Sequence, residues 1–156
     1  MDSEVKLYLE RAENKIIIAK ASFEISLDNN KKEQLGIPIN QTFFNDVISH
    51  AYYAIFYSAK AYLISKEIKT KAPEEHKKTY EEFKKIIASK LNNQLVDIYD
   101  TETTKAEVLL NIFFTEKRKR GRFTYNIKSE ANIPYARESI DNAVKFVSII
   151  KNIIDI

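Results

Sequence analysis

The segment EKRKRGRFTYN, residues 116 to 126, places Lys117, Arg118, Lys119, Arg120 and Arg122 within six positions and follows them with Phe123, Thr124 and Tyr125. Guanidinium groups hold phosphate through paired N–H donors, and they stabilise charge that builds on a phosphorane. A phenol beside several cations has its ionisation favoured, which brings it closer to acid/base work. The chemistry of this cluster is therefore capture of a polyanion, with phosphoryl chemistry as its extension. The plainer reading is a solvated cap, because cations at a helix C-terminus offset the negative end of the dipole.

Charge distribution favours a localised site. The chain has 156 residues, 25 Lys plus Arg against 22 Asp plus Glu, and a formal net charge of +3. Setting aside the five cations of the quoted segment leaves 20 basic against 22 acidic residues. A cationic site on an otherwise near-neutral protein suits phosphate capture better than general adhesion.

Other chemistries find little support. The chain has no cysteine, which removes disulfides, thiolate zinc sites and Cys nucleophiles together. His50 and His76 are its two histidines, and neither has a carboxylate at ligand spacing, so no metal site and no cofactor is expected. Gly36 and Gly121 stand alone, so no glycine-rich loop cradles a nucleotide phosphate. Glu74, Glu75, Glu81 and Glu82 sit among lysines at helix-surface spacing and read as solvated ion pairs. Nothing marks a nucleophile elbow.

The elements that must position the basic segment are helical. Two glycines and three prolines are few, and 44% hydrophobic residues suffice for one sizeable core, so a single domain is expected. Val5, Leu9, Ala12, Ile16, Ala19, Phe23 and Leu27 recur at steps of three and four, which predicts a helix over about 3–28. Gly36 and Pro38 then predict an exposed loop over about 29–41. The stretch AYYAIFYSAKAYLI lies in a second helix, about 42–67, apolar on nearly every side and so central. Its excess of apolar surface predicts a homodimer. The array of Tyr52, Tyr53, Phe56, Tyr57 and Tyr62 reads as core or dimer packing, and His76 as a partly exposed or locally hydrogen-bonded residue. A third helix starts near Pro73 with Glu74 and Glu75 in its first turn. A fourth covers about 102–120 and ends near Gly121. The last begins after Pro134 and buries Ile140, Ala143, Val147, Ile150 and Ile154. The N-terminus lacks a signal-peptide pattern and no apolar stretch approaches membrane-spanning length, so a cytoplasmic protein without membrane contact is expected.

Three pieces in order carry a resemblance: SHAYYAIFYSAKAYLI, the His-bearing EEHKKTYEEF, and KRKRGRFTY. Together they resemble the small single-domain HEPN proteins of bacteria and archaea, whose second helix carries an aromatic YYA.F..A.A.L signature. The likeness runs from YLERAENKIIIAKASFE to ARESIDNAVKFVSIIKNI, essentially the whole chain. It implies an all-α, up-and-down bundle of four to five antiparallel helices, usually a homodimer. It also implies a polar cleft holding an arginine and, a few residues on, a histidine or tyrosine.

Many HEPN domains are metal-independent ribonucleases. Others bind RNA or a partner without catalysis, and several are toxins paired with a minimal nucleotidyltransferase antitoxin. Two alignments fit here. If Arg118 opens an Arg-x4-His-x-Tyr pattern, Phe123 stands at the histidine and Tyr125 at the tyrosine. If Arg120 aligns, RGRFTY resembles an Arg-x3-Asp-Tyr form with Thr124 in place of the acid. Both end on Tyr125. The resemblance thus implies Arg118, Arg120 and Tyr125 as catalytic residues, Lys117, Lys119 and Arg122 as RNA or phosphate contacts, and His50, Tyr53 and Thr124 as cleft residues. The expected function is RNA or nucleotide-partner binding in a toxin-antitoxin or defence system, with metal-independent RNase activity as its catalytic form. The competing expectation is a non-catalytic module that pairs with a nucleotidyltransferase and does not touch RNA.

Overall fold

A computed structural model of the chain describes residues 2–90, 93–110 and 132–155. Among these, six helices occur and no strand. Helix α1 spans Ser3–Leu27, and the Asp2 carboxylate caps it by accepting from the Glu4 backbone N–H at 2.9 Å. Val5, Leu9, Ala12 and Ala19 of the expected stripe are buried, Ile16 and Phe23 are half-buried, and Leu27 lies exposed at the helix end.

The expected loop holds one short helix. Asp28 ends α1 and also caps α2, Asn29–Gln34, by accepting from the Lys31 N–H at 3.1 Å. One residue thus serves two helix ends, a role that the polar composition of DNNKKEQ conceals. The Lys32 side chain is buried beneath the following turn and donates to the Ile39 carbonyl at 2.8 Å. Gly36, at φ +70°, makes the turn after α2 in a conformation glycine adopts freely.

Helix α3 spans Phe44–Ser65 and is the centre of the molecule, packed by α1, α4, α5 and α6. Every residue from Ala51 to Ile64 except Tyr53 and Tyr57 is buried by the chain itself. The premise behind the expected homodimer, uncovered apolar surface on this helix, therefore fails: one chain supplies the cover. Ring contacts Tyr8–Tyr57 and Phe23–Phe44 set α1 antiparallel to α3.

Helix α4 runs Glu75–Lys90, so Pro73 precedes its first turn where the sequence places it within. Helix α5 runs Gln94–Leu110, starting eight residues before the expected 102. Its inward face carries Leu95, Ile98, Tyr99 and Ala106, but also buried Glu102, Thr103, Lys105 and Glu107. Polar residues on the buried side disguise the apolar period. The expected extension of this helix to 120 lies outside the described residues. Helix α6, Ile133–Ile154, starts one residue before Pro134 and takes it into its first turn, where the sequence places the start after it, and buries Ala143, Val147 and Ile150, with Ile140 and Ile154 half-buried. Tyr99 meets both Phe83 of α4 and Phe146 of α6 at ring-centroid distances of 5.5 and 5.6 Å, closing the main core. Among the described residues no helix is long and apolar enough to cross a membrane.

Candidate functional site

Lys117, Arg118, Lys119, Arg120, Arg122, Thr124 and Tyr125 lie outside the described residues, between α5 and α6. The two ends from which this segment departs are defined. On the entry side, Leu109 packs against a small apolar cluster of Ala19, Phe44, Val47, Ile48 and Ala136. On the exit side, Ile133 joins the same cluster, and buried Asn132 donates from Nδ2 to Asn45 Oδ1 at 2.9 Å. Both ends therefore converge on the first turns of α3, the turns that lead to His50. These contacts place the ends of α5 and α6 that flank the cationic segment in sequence.

His50 is half-buried on α3, one helical turn from Asp46. Burial lowers its pKa below the ordinary value near 6.5, the Lys15 charge lowers it further, and Asp46 works in the opposite direction. The imidazole is thus neutral at pH 7, with one nitrogen able to accept a proton. Tyr53 follows on the next turn, also half-buried, and burial beside Tyr57 raises its pKa. Its phenol stays protonated and can donate. Lys15 of α1 connects the pair, since its Nζ lies 5.6 Å from the Tyr53 ring centroid while its charge acts on His50. Of the residues the sequence singles out, His50 and Tyr53 lie three positions apart on α3, and Lys15 acts on both.

Lys15 carries no motif, but it sits at steps of four and seven from Arg11 and Tyr8, so helical spacing could have placed all three on one face. Their contacts bear this out. The Arg11 guanidinium carbon lies 5.2 Å from the Tyr8 centroid and 5.9 Å from that of Tyr57.

His76 packs on the same aromatic group from α4, its ring centroid 5.6 Å from that of Tyr53. It stacks on Phe56 with ring centroids 4.1 Å apart, and its Nδ1 shares a 2.7 Å hydrogen bond with the Tyr52 hydroxyl. Burial lowers its pKa, with Glu75 opposing and nearby Lys60 reinforcing. Tyr52, Phe56 and Tyr62 are buried, as expected of core aromatics.

Besides Lys32, two further lysines are buried against the expectation from sequence. Lys60 looks like an interruption in AYYAIFYSAKAYLI, yet it is nearly enclosed, paired with Glu75 and donating to the Thr70 carbonyl at 3.2 Å. So Glu75 is not one of the solvated surface pairs the sequence suggests. With Tyr8, Lys69 and Lys71, Lys60 lines a cleft of about 250 Å³. Lys105 is 2% exposed and pairs with fully buried Glu102 at 2.9 Å and with Glu138 at 2.6 Å. It also donates to Ser139 Oγ at 3.0 Å and the Tyr135 carbonyl at 3.1 Å, which ties α5 to α6 beneath the departure points of the basic segment.

Among the described residues no group of three His, Asp or Glu side chains is gathered to hold a metal ion. No protein-family model matches the chain, and no characterised protein matches its sequence.

Proposed function

We propose that the chain is a HEPN-like helical module that binds RNA through the cationic segment 117–125, with His50 of α3 at the edge of the same site. The observation that carries this reading is the convergence of Leu109 near the end of α5 and Asn132 before α6, the helices that flank the cationic segment in sequence, on the turns of α3 that precede His50. Five cations supply phosphate contacts that need no sequence preference. A neutral imidazole at their side, with a protonated tyrosine three residues on in the same helix, is the kind of acid/base complement that cleavage at a 2′-hydroxyl requires.

Binding of a labelled single-stranded RNA, followed by fluorescence anisotropy across a salt series, tests the reading. Affinity should fall linearly in log–log form with added salt, and Arg118→Ala with Arg120→Ala should weaken binding and reduce the slope by about two. Absence of binding at low salt overturns it. Absence of binding together with nucleotide adducts on Tyr125 after co-expression with a nucleotidyltransferase establishes the competing module instead.

A further inference from the structure

The shallow groove along the packed seam of α1 and α3 carries a row of partly exposed rings and cations. Tyr8 and Tyr57 face each other across it at 6.0 Å, and Tyr53 follows at 5.8 Å from Tyr57. Arg11 lies over the first two rings and Lys15 over the third. Tyr8, Tyr53 and Tyr57 are each half-buried, so part of every ring faces solvent while the rest is held by the core.

Tyrosines at an interface of core and solvent are ordinary; the balance of charge here is less so. Three acids of α1 are engaged elsewhere: Glu4 with Lys69 at 3.1 Å, Glu13 with Lys151 and Glu24 with Lys31. Among the described residues neither Arg11 nor Lys15 pairs with a carboxylate. Arg11 and Lys15 therefore lie along the rings without a direct carboxylate partner, with Glu10 exposed on α1 and Asp46 acting with Lys15 on His50. From His50 to Lys60 it follows ten residues of α3, on the order of 15 Å by helical rise. One end lies toward the first turns of α3, and the other opens on the cleft of Tyr8, Lys60, Lys69 and Lys71, where Glu75 pairs with Lys60 and Glu4 with Lys69.

We infer that this groove is a second nucleic-acid contact, a path along which a single strand lays successive bases against Tyr53, Tyr57 and Tyr8 while Arg11 and Lys15 meet its phosphates. Alternation of ring and cation is what a strand with a base and a phosphate per step requires, and it is sequence-tolerant because every base has a π face. The guanidinium of Arg11 adds a planar surface of its own, since arginine both stacks and binds phosphate. An acidic peptide would use the cations but leave the ring faces idle. The inference rests on the RNA-binding reading for the rest of the strand's path, and the test separates the two.

The probes are a short oligouridylate and an abasic ribose-phosphate oligomer of equal length, measured against the full chain. Oligouridylate should bind roughly tenfold more tightly than the abasic oligomer, the scale of a single stacked base. Tyr53→Leu should abolish that ratio, whereas Arg11→Gln with Lys15→Gln should weaken both probes. Arg118→Ala with Arg120→Ala should lower overall affinity and keep the ratio, so loss at one site is told from loss at the other. Tyr53 supports neighbouring rings, so the wild-type chain supplies an independent measurement: 4-thiouridine crosslinks should map to Tyr8, Tyr53 or Tyr57. Equal affinity for the two probes, crosslinks confined to other helices, or competition by polyglutamate as effective as by oligouridylate overturns the groove.

Discussion

The Tyr52 hydroxyl and His76 Nδ1 lie 2.7 Å apart, joining α3 to the first turn of α4 across 24 residues. The imidazole is held between this hydrogen bond and the face of Phe56, in surroundings that favour its neutral form. Its folded-state pKa is below the ordinary 6.5, so the unfolded chain binds more protons between those two values. Stability is accordingly full above pH 6.5 and falls as pH drops through the window beneath it. His50, lowered as well, contributes in the same direction. Urea denaturation at stepped pH should show this loss, and His76→Gln should flatten the slope, whatever it does to stability at neutral pH.

The Lys105–Glu102 pair is buried on both sides, and Asn142 Nδ2 donates to the same Glu102 oxygen at 2.9 Å. Lys105→Met leaves a carboxylate without its counter-charge and should cost about 3–5 kcal/mol. Glu102→Leu added to Lys105→Met should restore most of that loss, because a matched apolar pair removes both desolvated charges. Equilibrium unfolding of the single and double variants measures the difference.

Tyr99 presents the opposite case. Its hydroxyl is fully buried among Tyr80, Phe83 and Phe146 with no hydrogen-bond partner among the described residues, and burial pushes its pKa far above the ordinary range. Removing the oxygen takes away a desolvated polar group and keeps the ring. Tyr99→Phe should hold stability level or raise it by about 1 kcal/mol, read as an upward shift of the thermal midpoint.

Catalysis, if the module cuts RNA, should proceed with EDTA present, since general acid/base groups and arginine can supply every step. Tyr125→Phe removes only a hydroxyl and should abolish cutting while leaving RNA affinity within about twofold. His50→Gln should lower the rate and alter its pH profile. Cleavage unchanged in both variants would place the chemistry elsewhere.

The architecture was legible where a helix hides one apolar face. The α1 stripe of Val5, Leu9, Ala12 and Ala19 and the all-round apolar α3 both read directly from spacing. The start of α5 did not, although Leu95, Ile98 and Tyr99 keep helical spacing there; within the helix, Glu102, Thr103, Lys105 and Glu107 occupy the buried side, where a period count scores them as surface. Lys60 was hidden by the reverse effect, a single charge that a long apolar run makes look incidental. Of the candidate site, His50 and Tyr53 were visible as residues, but their link through Lys15 depends on the α1–α3 pairing, which no local pattern encodes. The Asn132–Asn45 bond spans 87 residues and lies equally beyond local reading.

The central place of α3 also bears on the order in which the chain assembles. Residues 28–43 separate α1 from α3, so the largest shared face in the bundle closes over a short distance, whereas α6 must return from far along the chain to cover the remaining side. The α1–α3 hairpin is therefore the natural nucleus, and α6 the last helix to lock. Substitution at that early contact, such as Ala12→Gly, should slow refolding, while Ile150→Val at the late one should chiefly speed unfolding. Until α6 arrives the hairpin exposes one apolar flank, so the nascent protein spends its riskiest interval with most of its core already made.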